Sequence, residues 1–236
     1  MSGIPLPPGA INDGPPVTPR PSATVIVVRH APGAADWELL LMRRPGGADF
    51  APGAYVFPGG TVHAGDSKFP DELRAAAVRE LFEEVGILLA RRGRRFAREA
   101  DSRAVRSALR GGAHFAGALA ACGLEPAFDR LVLFARWVTP ARFSRRYDAR
   151  FYYAKLPAGQ SVSPQEGEVT DWLWISPERA LREPAITLVY ATRAVLESVA
   201  TGEPATKLMS RARRLRDVPI VEPALVETDA GWEIRR

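Results

Sequence analysis

Residues 79–86, RELFEEVG, set Glu80, Glu83 and Glu84 within five positions of one another. On a helix these stand at i, i+3 and i+4 and share one face, with Leu81 and Val85 turned roughly opposite. Like charges at that spacing weaken an isolated helix by about 0.2–0.5 kcal/mol per pair. A cation would remove the repulsion. Oxygen-only donors suit a hard divalent ion, Mg²⁺ or Mn²⁺, better than zinc, which favours histidine and cysteine. Arg79 immediately precedes the first glutamate and can orient a carboxylate bidentately. Upstream, the VFPGG stretch of residues 56–60 brings Gly59 and Gly60, whose missing side chains allow the backbone to approach a metal or a phosphate closely.

Other chemistries lack their residues. His30, His63 and His114 are isolated, with no HxH or HExxH spacing, and the chain has no GxSxG elbow and no Walker loop. Cys122 is the single cysteine, so an intrachain disulfide is excluded and a small buried hydrophobe is expected there. With no secretion-like N-terminus, a cytoplasmic protein is the expectation. No stretch reaches the ~20 apolar residues that span a bilayer, so no membrane partner is expected. The net charge of +5 suits an anionic partner without choosing between a phosphorylated small molecule and a nucleic acid. The basic runs RRGRR (91–95) and RARRLR (211–216) carry no interleaved aromatic residues, which disfavours a nucleic-acid platform.

The elements that would position the glutamates can be read from pattern. Residues 1–22 are dense in proline and glycine and read as a flexible arm. The β-branched run 23–30 predicts a strand, and 37–44 its antiparallel partner. Leu73, Ala77, Leu81 and Val85 recur at helical spacing, and Gly86 suits the left-handed residue that ends a helix. Residues 90–127 predict a small helical insertion, 99–110 and 113–122 being its helices. Strands are expected at 130–138, 150–156 and 171–176, and a longer helix at 184–200. The segment after 203 reads as a basic tail with a short edge strand near its end. The resulting domain spans 23–203, with 204–236 packed on it or extending it, and the order predicts an α+β fold with a mixed sheet.

The GG…RELFEEVGI pattern resembles the Nudix box, G-x5-E-x7-R-E-U-x-E-E-x-G-U with U bulky and apolar. Arg79, Glu80, Leu81, Glu83, Glu84, Gly86 and Ile87 match every specified position of its second half. The first half departs from the pattern. Counting from Gly60 gives Asp66 as the first acid and implies a five-residue insertion. Counting back from Arg79 gives Asp71 and Gly65 instead. The resemblance implies an α/β/α sandwich around a mixed sheet and hydrolysis of a diphosphate bond. It also implies Mg²⁺ or Mn²⁺ held by Glu80, Glu83, Glu84 and the carbonyl of Gly59, with Arg79 as the orienting residue. The proton-accepting carboxylate is left open among Glu83, Glu84 and two later candidates, Glu168 and Glu166.

The approach LLLMRRPGGADFAPGAYVFPGG, with LVLFARWVTP and RRYDARFYYA, resembles the coenzyme A diphosphatases that carry an insertion. A small phosphorylated substrate is implied, coenzyme A or an acyl-coenzyme A. Arg44 and Arg150 are then candidate phosphate contacts, beside Arg43, Arg145 and Arg146; Gly60 and Phe50 complete the substrate-binding set. ADP-ribose, NADH and nucleotide sugars stay open as substrates, as does a nucleotide-sensing protein without catalysis, and the family also admits a homodimer.

Overall fold

Side chains along the first strand alternate between two hydrophobic cores. On β1 (Arg20–His30), Ala23, Val25 and Val27 enter one cluster, and Ile26 and Val28 enter the other. Such alternation is what a strand buried on both faces requires. The computed structural model describes residues 9–31, 37–48, 51–164, 167–229 and 231–235. After β1 come β2 (Trp37–Arg43), β3 (Tyr55–Val56), β4 (Gly59–Thr61), a 3₁₀ turn (Ala64–Lys68) and α1 (Glu72–Val85). An insertion follows: β5 (Ala90–Arg92), β6 (Arg95–Phe96), α2 (Glu99–Arg110), α3 (Phe115–Ala121) and β7 (Glu125–Pro126). The chain continues with β8 (Val132–Val138), β9 (Tyr147–Lys155), β10 (Asp171–Ile175), α4 (Pro177–Arg182), α5 (Tyr190–Val199) and α6 (Ala205–Arg213). It ends in β11 (Ile220–Val221), β12 (Ala224–Thr228) and β13 (Gly231–Arg235).

The main sheet runs β10-β2-β1-β9-β8-β11, with β3 added beside β2 and β4 beside β1. β1 and β9 are parallel, as are β8 and β11, whereas β2 pairs antiparallel with β1 and β10. On one face lie Leu81, Phe82 and Val85 of α1 with Val105 of α2 and Phe115 and Leu119 of α3. The opposite face is covered by Ala180 of α4, Val195 and Leu196 of α5, and Leu208 and Met209 of α6. The expected mixed-sheet α/β/α sandwich is therefore present. Among the described residues no helix is long and apolar enough to cross a membrane.

α1 begins where Asp71 accepts a hydrogen bond from the Arg74 backbone N–H at 3.0 Å. It ends at Gly86, at φ 73°, whose N–H donates to the Phe82 carbonyl. β4 is held against β1 with Gly59 opposite Thr24 and Gly60 opposite Ala23. The loop–helix that carries the glutamates thus leaves directly from the sheet.

Three regions differ from the sequence reading. The described part of the proline-rich arm is tied down: Asn12 N–H donates to the Arg142 carbonyl, Ser144 N–H donates to the Ala10 carbonyl, and β1 starts at Arg20. The helix expected from 184 begins at Tyr190, because the Thr187 carbonyl accepts the Tyr55 N–H and Leu188 bridges Tyr55. The basic tail contains α6, whose Ala205, Leu208, Met209 and Ala212 fall on one face and are buried between outward arginines. The last strand, β13, pairs with β12 in a separate hairpin and not with the main sheet.

Phe82 is 1% exposed and packs on Phe115 at a centroid distance of 6.1 Å. Phe82→Ala should lower the unfolding free energy by about 3–5 kcal/mol in urea titration. A loss below about 1 kcal/mol would contradict this packing of the insertion against α1.

Candidate active site

Arg79 is 6% exposed, and an arginine so buried must find acceptors for its whole fork. Nε and Nη2 donate to Oδ1 and Oδ2 of Asp66, each at 3.0 Å. Nη2 also donates to the Thr61 carbonyl at 2.9 Å, and Nη1 to Glu80 Oε1 at 2.8 Å and Glu83 Oε2 at 3.0 Å. Burial alone would ease the proton off Arg79, but the bonds to Asp66 and the charge of Glu80 outweigh it and raise its pKa. The guanidinium is permanently charged and fixes two of the three helix glutamates.

These contacts decide which aspartate fills the first acidic position. Asp66 is 1% exposed, and besides Arg79 its carboxylate accepts the His63 N–H at 2.8 Å. Asp71 instead caps α1 and pairs with Arg74 at 3.1 Å. The glycines agree: a Cβ on Gly60 would lie 2.3 Å from Glu80 Oε1, whereas one on Gly65 would meet nothing within 4 Å. Gly60 and Asp66 therefore form the working pair. The extra residues lie between Asp66 and the start of α1.

Glu84 turns the other way, its Oε2 accepting the Gly59 N–H at 2.8 Å. Its pKa is raised well above the usual carboxylate value, first by burial and then by the charge of Glu80, against the opposing pull of Gly59 and Arg44. Burial likewise raises Glu83 in spite of Arg79, with Glu80 and Glu168 adding to the effect. Arg44 and Glu168 are thus both within electrostatic reach of the helix glutamates. Glu168 is exposed, next to Val169, which is buried, and Thr170, whose N–H donates to the Arg43 carbonyl at 3.1 Å.

Among the described residues no three acidic side chains converge on one point as they stand. Glu80 and Glu83 are drawn onto Arg79, and Glu84 onto Gly59. The donor set nevertheless fits a hard divalent cation. All side-chain donors are carboxylate oxygens, they project from one face of one helix, and burial with mutual repulsion gives them reason to take up positive charge.

Arg150 is not brought against the glutamates. It lies in register with Ala23 and hence with Gly60, two strands along, and its charge acts on Asp148 and Tyr152. Arg146 is used internally, donating to the Thr139 and Val17 carbonyls and to Glu222. Phe50 and Glu166 lie outside the described residues. A cavity of about 400 Å³ opens by Arg20, Arg145 and Tyr147, away from the carboxylates. Sequence reasoning missed Thr61, which acts through its carbonyl and so leaves no side-chain signal.

Comparison with known proteins places these residues in a wider setting. The sequence model of the NUDT19 Nudix domain matches residues 65–188. Putative nudix hydrolase 7 of Caenorhabditis elegans is 31% identical over 150 residues, covering 61% of this chain and 48% of that protein. Acyl-coenzyme A diphosphatase NUDT19 of Gallus gallus is 28% identical over 235 residues, covering 69% of this chain and 62% of that protein. The Xenopus laevis protein of the same name is 27% identical and 55% covered. The chain therefore spans between 48% and 62% of the length of these curated relatives. A NUDIX hydrolase crystal structure from Alicyclobacillus acidocaldarius superposes with a TM-score of 0.67 at 27% identity, covering 82% of this chain and 96% of that one.

The two aspartates should separate cleanly in unfolding experiments. Asp66→Ala leaves a buried arginine underpaired and should cost about 3–5 kcal/mol. Asp71→Ala removes a helix cap and should cost about 1 kcal/mol. Equal losses would overturn the assignment of Asp66 as the partner of Arg79.

Proposed function

This chain belongs to the Nudix hydrolases, and from that membership we propose that it cleaves the diphosphate bond of a nucleoside diphosphate derivative, with coenzyme A or an acyl-coenzyme A as substrate. The observation that carries the reaction is the set of three glutamates on one turn of α1, two held by Arg79 and the third by the Gly59 N–H. The names of the Gallus gallus and Xenopus laevis relatives support the choice of substrate.

Glu80, Glu83, Glu84 and the Gly59 carbonyl would hold Mg²⁺ or Mn²⁺, which when bound neutralises diphosphate charge and acidifies a water. The chain's own residues supply the rest. Arg79 keeps Glu80 and Glu83 on one side of the turn, so that both carboxylates face the same volume. A proton acceptor for the attacking water comes from Glu83, Glu84 or Glu168. Glu84 leads this set because it stands apart from the Arg79 clamp, its Oε2 accepting the Gly59 N–H at 2.8 Å. Arg44, whose charge reaches Glu84, would meet the diphosphate, and Arg150, two strands and about 10 Å along from Gly60, would meet a more distant phosphate. Gly60 keeps the floor beside Glu80 open, since any side chain there would displace the carboxylate.

Incubation with a panel of diphosphates and Mg²⁺ or Mn²⁺, read by mass, tests the substrate. Coenzyme A should yield 3′,5′-ADP and 4′-phosphopantetheine; cleavage of ADP-ribose alone would overturn the coenzyme A assignment. Glu84→Gln should lower turnover by at least about a hundredfold, the scale on which a positioned proton acceptor contributes. Near-normal turnover in that variant would overturn the site.

Cation binding has its own pH signature. Carboxylates whose pKa rises on folding stabilise the fold only while protonated, so metal-free protein loses stability as pH climbs above the ordinary value of 4.5. A bound cation replaces the proton. Mn²⁺ should therefore raise the unfolding midpoint more at about pH 8 than at about pH 5.5. An equal or reversed rise would argue against binding at these glutamates.

A further inference from the structure

The insertion between α1 and β8 packs on the side of α1 that faces away from the glutamates, and it also reaches past the end of that helix. Arg106 of α2 makes two contacts there and closes over Gly86. Its guanidinium lies 5.6 Å from the ring centroid of Phe82, its Nη2 donates to the Ser163 carbonyl at 2.9 Å, and the same nitrogen lies 2.7 Å from where a Cβ on Gly86 would stand. Ser163 is itself joined to α1, its N–H donating to the Val85 carbonyl at 2.9 Å. The Ser163 carbonyl would come within 2.6 Å of a Gly86 Cβ, so the glycine that ends the helix is also the one that admits this crossing.

The same segment is held at two further points. Ser161 Oγ donates to Glu99 of α2 at 2.6 Å. Gln160, buried, accepts the Leu88 N–H at 2.8 Å and donates to the carbonyls of Leu88 at 2.9 Å and Ala97 at 2.7 Å. Residues 160–163 are thereby stitched to the insertion and to the end of α1, just ahead of Glu168. Arg106 touches both sides of that seam. It stacks against the residue next to Glu83 and bonds the segment that leads to Glu168.

We infer that the helical insertion is a buttress for the active site and that Arg106 is a positioning residue, holding the 160–163 segment against the turn that carries Glu83 and Glu84. This deepens the hydrolase reading and rests on it for its catalytic consequence. The structural consequence, the seam itself, is testable without turnover.

The experiment uses the full chain with coenzyme A and Mn²⁺ and compares Arg106→Ala, Arg106→Lys, Glu168→Gln and the Arg106→Ala/Glu168→Gln double variant. Amide exchange at Ser163 should quicken at least about tenfold in Arg106→Ala while the first turns of α1 keep their protection. Turnover should fall about tenfold with KM changed by less than about twofold, and Arg106→Lys, which keeps one donor to the Ser163 carbonyl, should recover most of it. In the Glu168→Gln background the same substitution should cost less than about twofold, because two changes acting through one group do not add. Unchanged exchange at Ser163 would overturn the buttress. Equal losses in both backgrounds, or full activity in Glu168→Gln, would overturn its link to Glu168. Should Arg106→Ala fail to fold, Ser161→Ala, which removes only the bond to Glu99, is read by the same exchange and turnover criteria. Loss of activity in Glu84→Gln together with unchanged Ser163 exchange in Arg106→Ala marks failure of this inference with the hydrolase reading intact; absence of coenzyme A cleavage by the unaltered chain with a quickened Ser163 amide in Arg106→Ala marks the reverse.

Discussion

One guanidinium organises the site. All five N–H donors of Arg79 are used, two on Asp66 and one each on Thr61, Glu80 and Glu83. Each acceptor comes from a different piece of local structure: the 3₁₀ turn, β4, and two successive levels of α1. A lysine, with three donors on a point charge, could not join them. Burying a charge this deeply is tolerable only because every proton on it is met, and removal of one acceptor exposes the cost of the rest. The sheet edge, the turn and the helix therefore hold their relative positions through one side chain.

The charge balance explains why that centre calls for a cation. Five carboxylates, Asp66, Glu80, Glu83, Glu84 and Glu168, stand against two guanidinium charges, Arg79 and Arg44. Asp66 is fully committed to Arg79, so the deficit falls on the three helix glutamates. Carboxylates therefore outnumber guanidinium groups around the turn, an imbalance that a bound cation would redress. Burial first, and the neighbouring charges of Glu80 and Glu168 after it, raise the pKa values of Glu83 and Glu84.

Much of this was legible in the chain because it is local. The helical spacing from Leu73 to Val85 gave α1, and Gly86 marked its end. The β-branched run of β1 and the order of strands and helices gave the mixed α+β sheet, and the resemblance of residues 79–87 to the Nudix box gave the sandwich. What sequence could not settle was which of Asp66 and Asp71 faces Arg79, since both spacings place an aspartate behind a glycine. Only the buried geometry separates a clamp from a helix cap. α6 escaped notice because its arginines hide a stripe of four small or flexible apolar residues. Arg106 gave no signal at all. It lies 57 residues from Ser163, and nothing in either neighbourhood marks the pair.

α1 is consequently fixed on every side but one. β4 presses against it through Gly60, where no side chain would fit beside Glu80. Phe82 and Val85 are packed by Phe115 and Leu119 of the insertion. Its end is closed by Gly86 beneath Ser163 and Arg106. The remaining edge carries the carboxylates. The metal site proposed on a helix so constrained would have its ligand-bearing backbone already ordered when an ion arrives, which spares the entropy cost of ordering a loop. The extra residues between Asp66 and α1 are mostly exposed, and they are anchored by Phe69, whose ring packs on Phe128 at a centroid distance of 5.9 Å. Neither Asp66 nor Gly60 depends on them for its contact with Arg79 or Glu80.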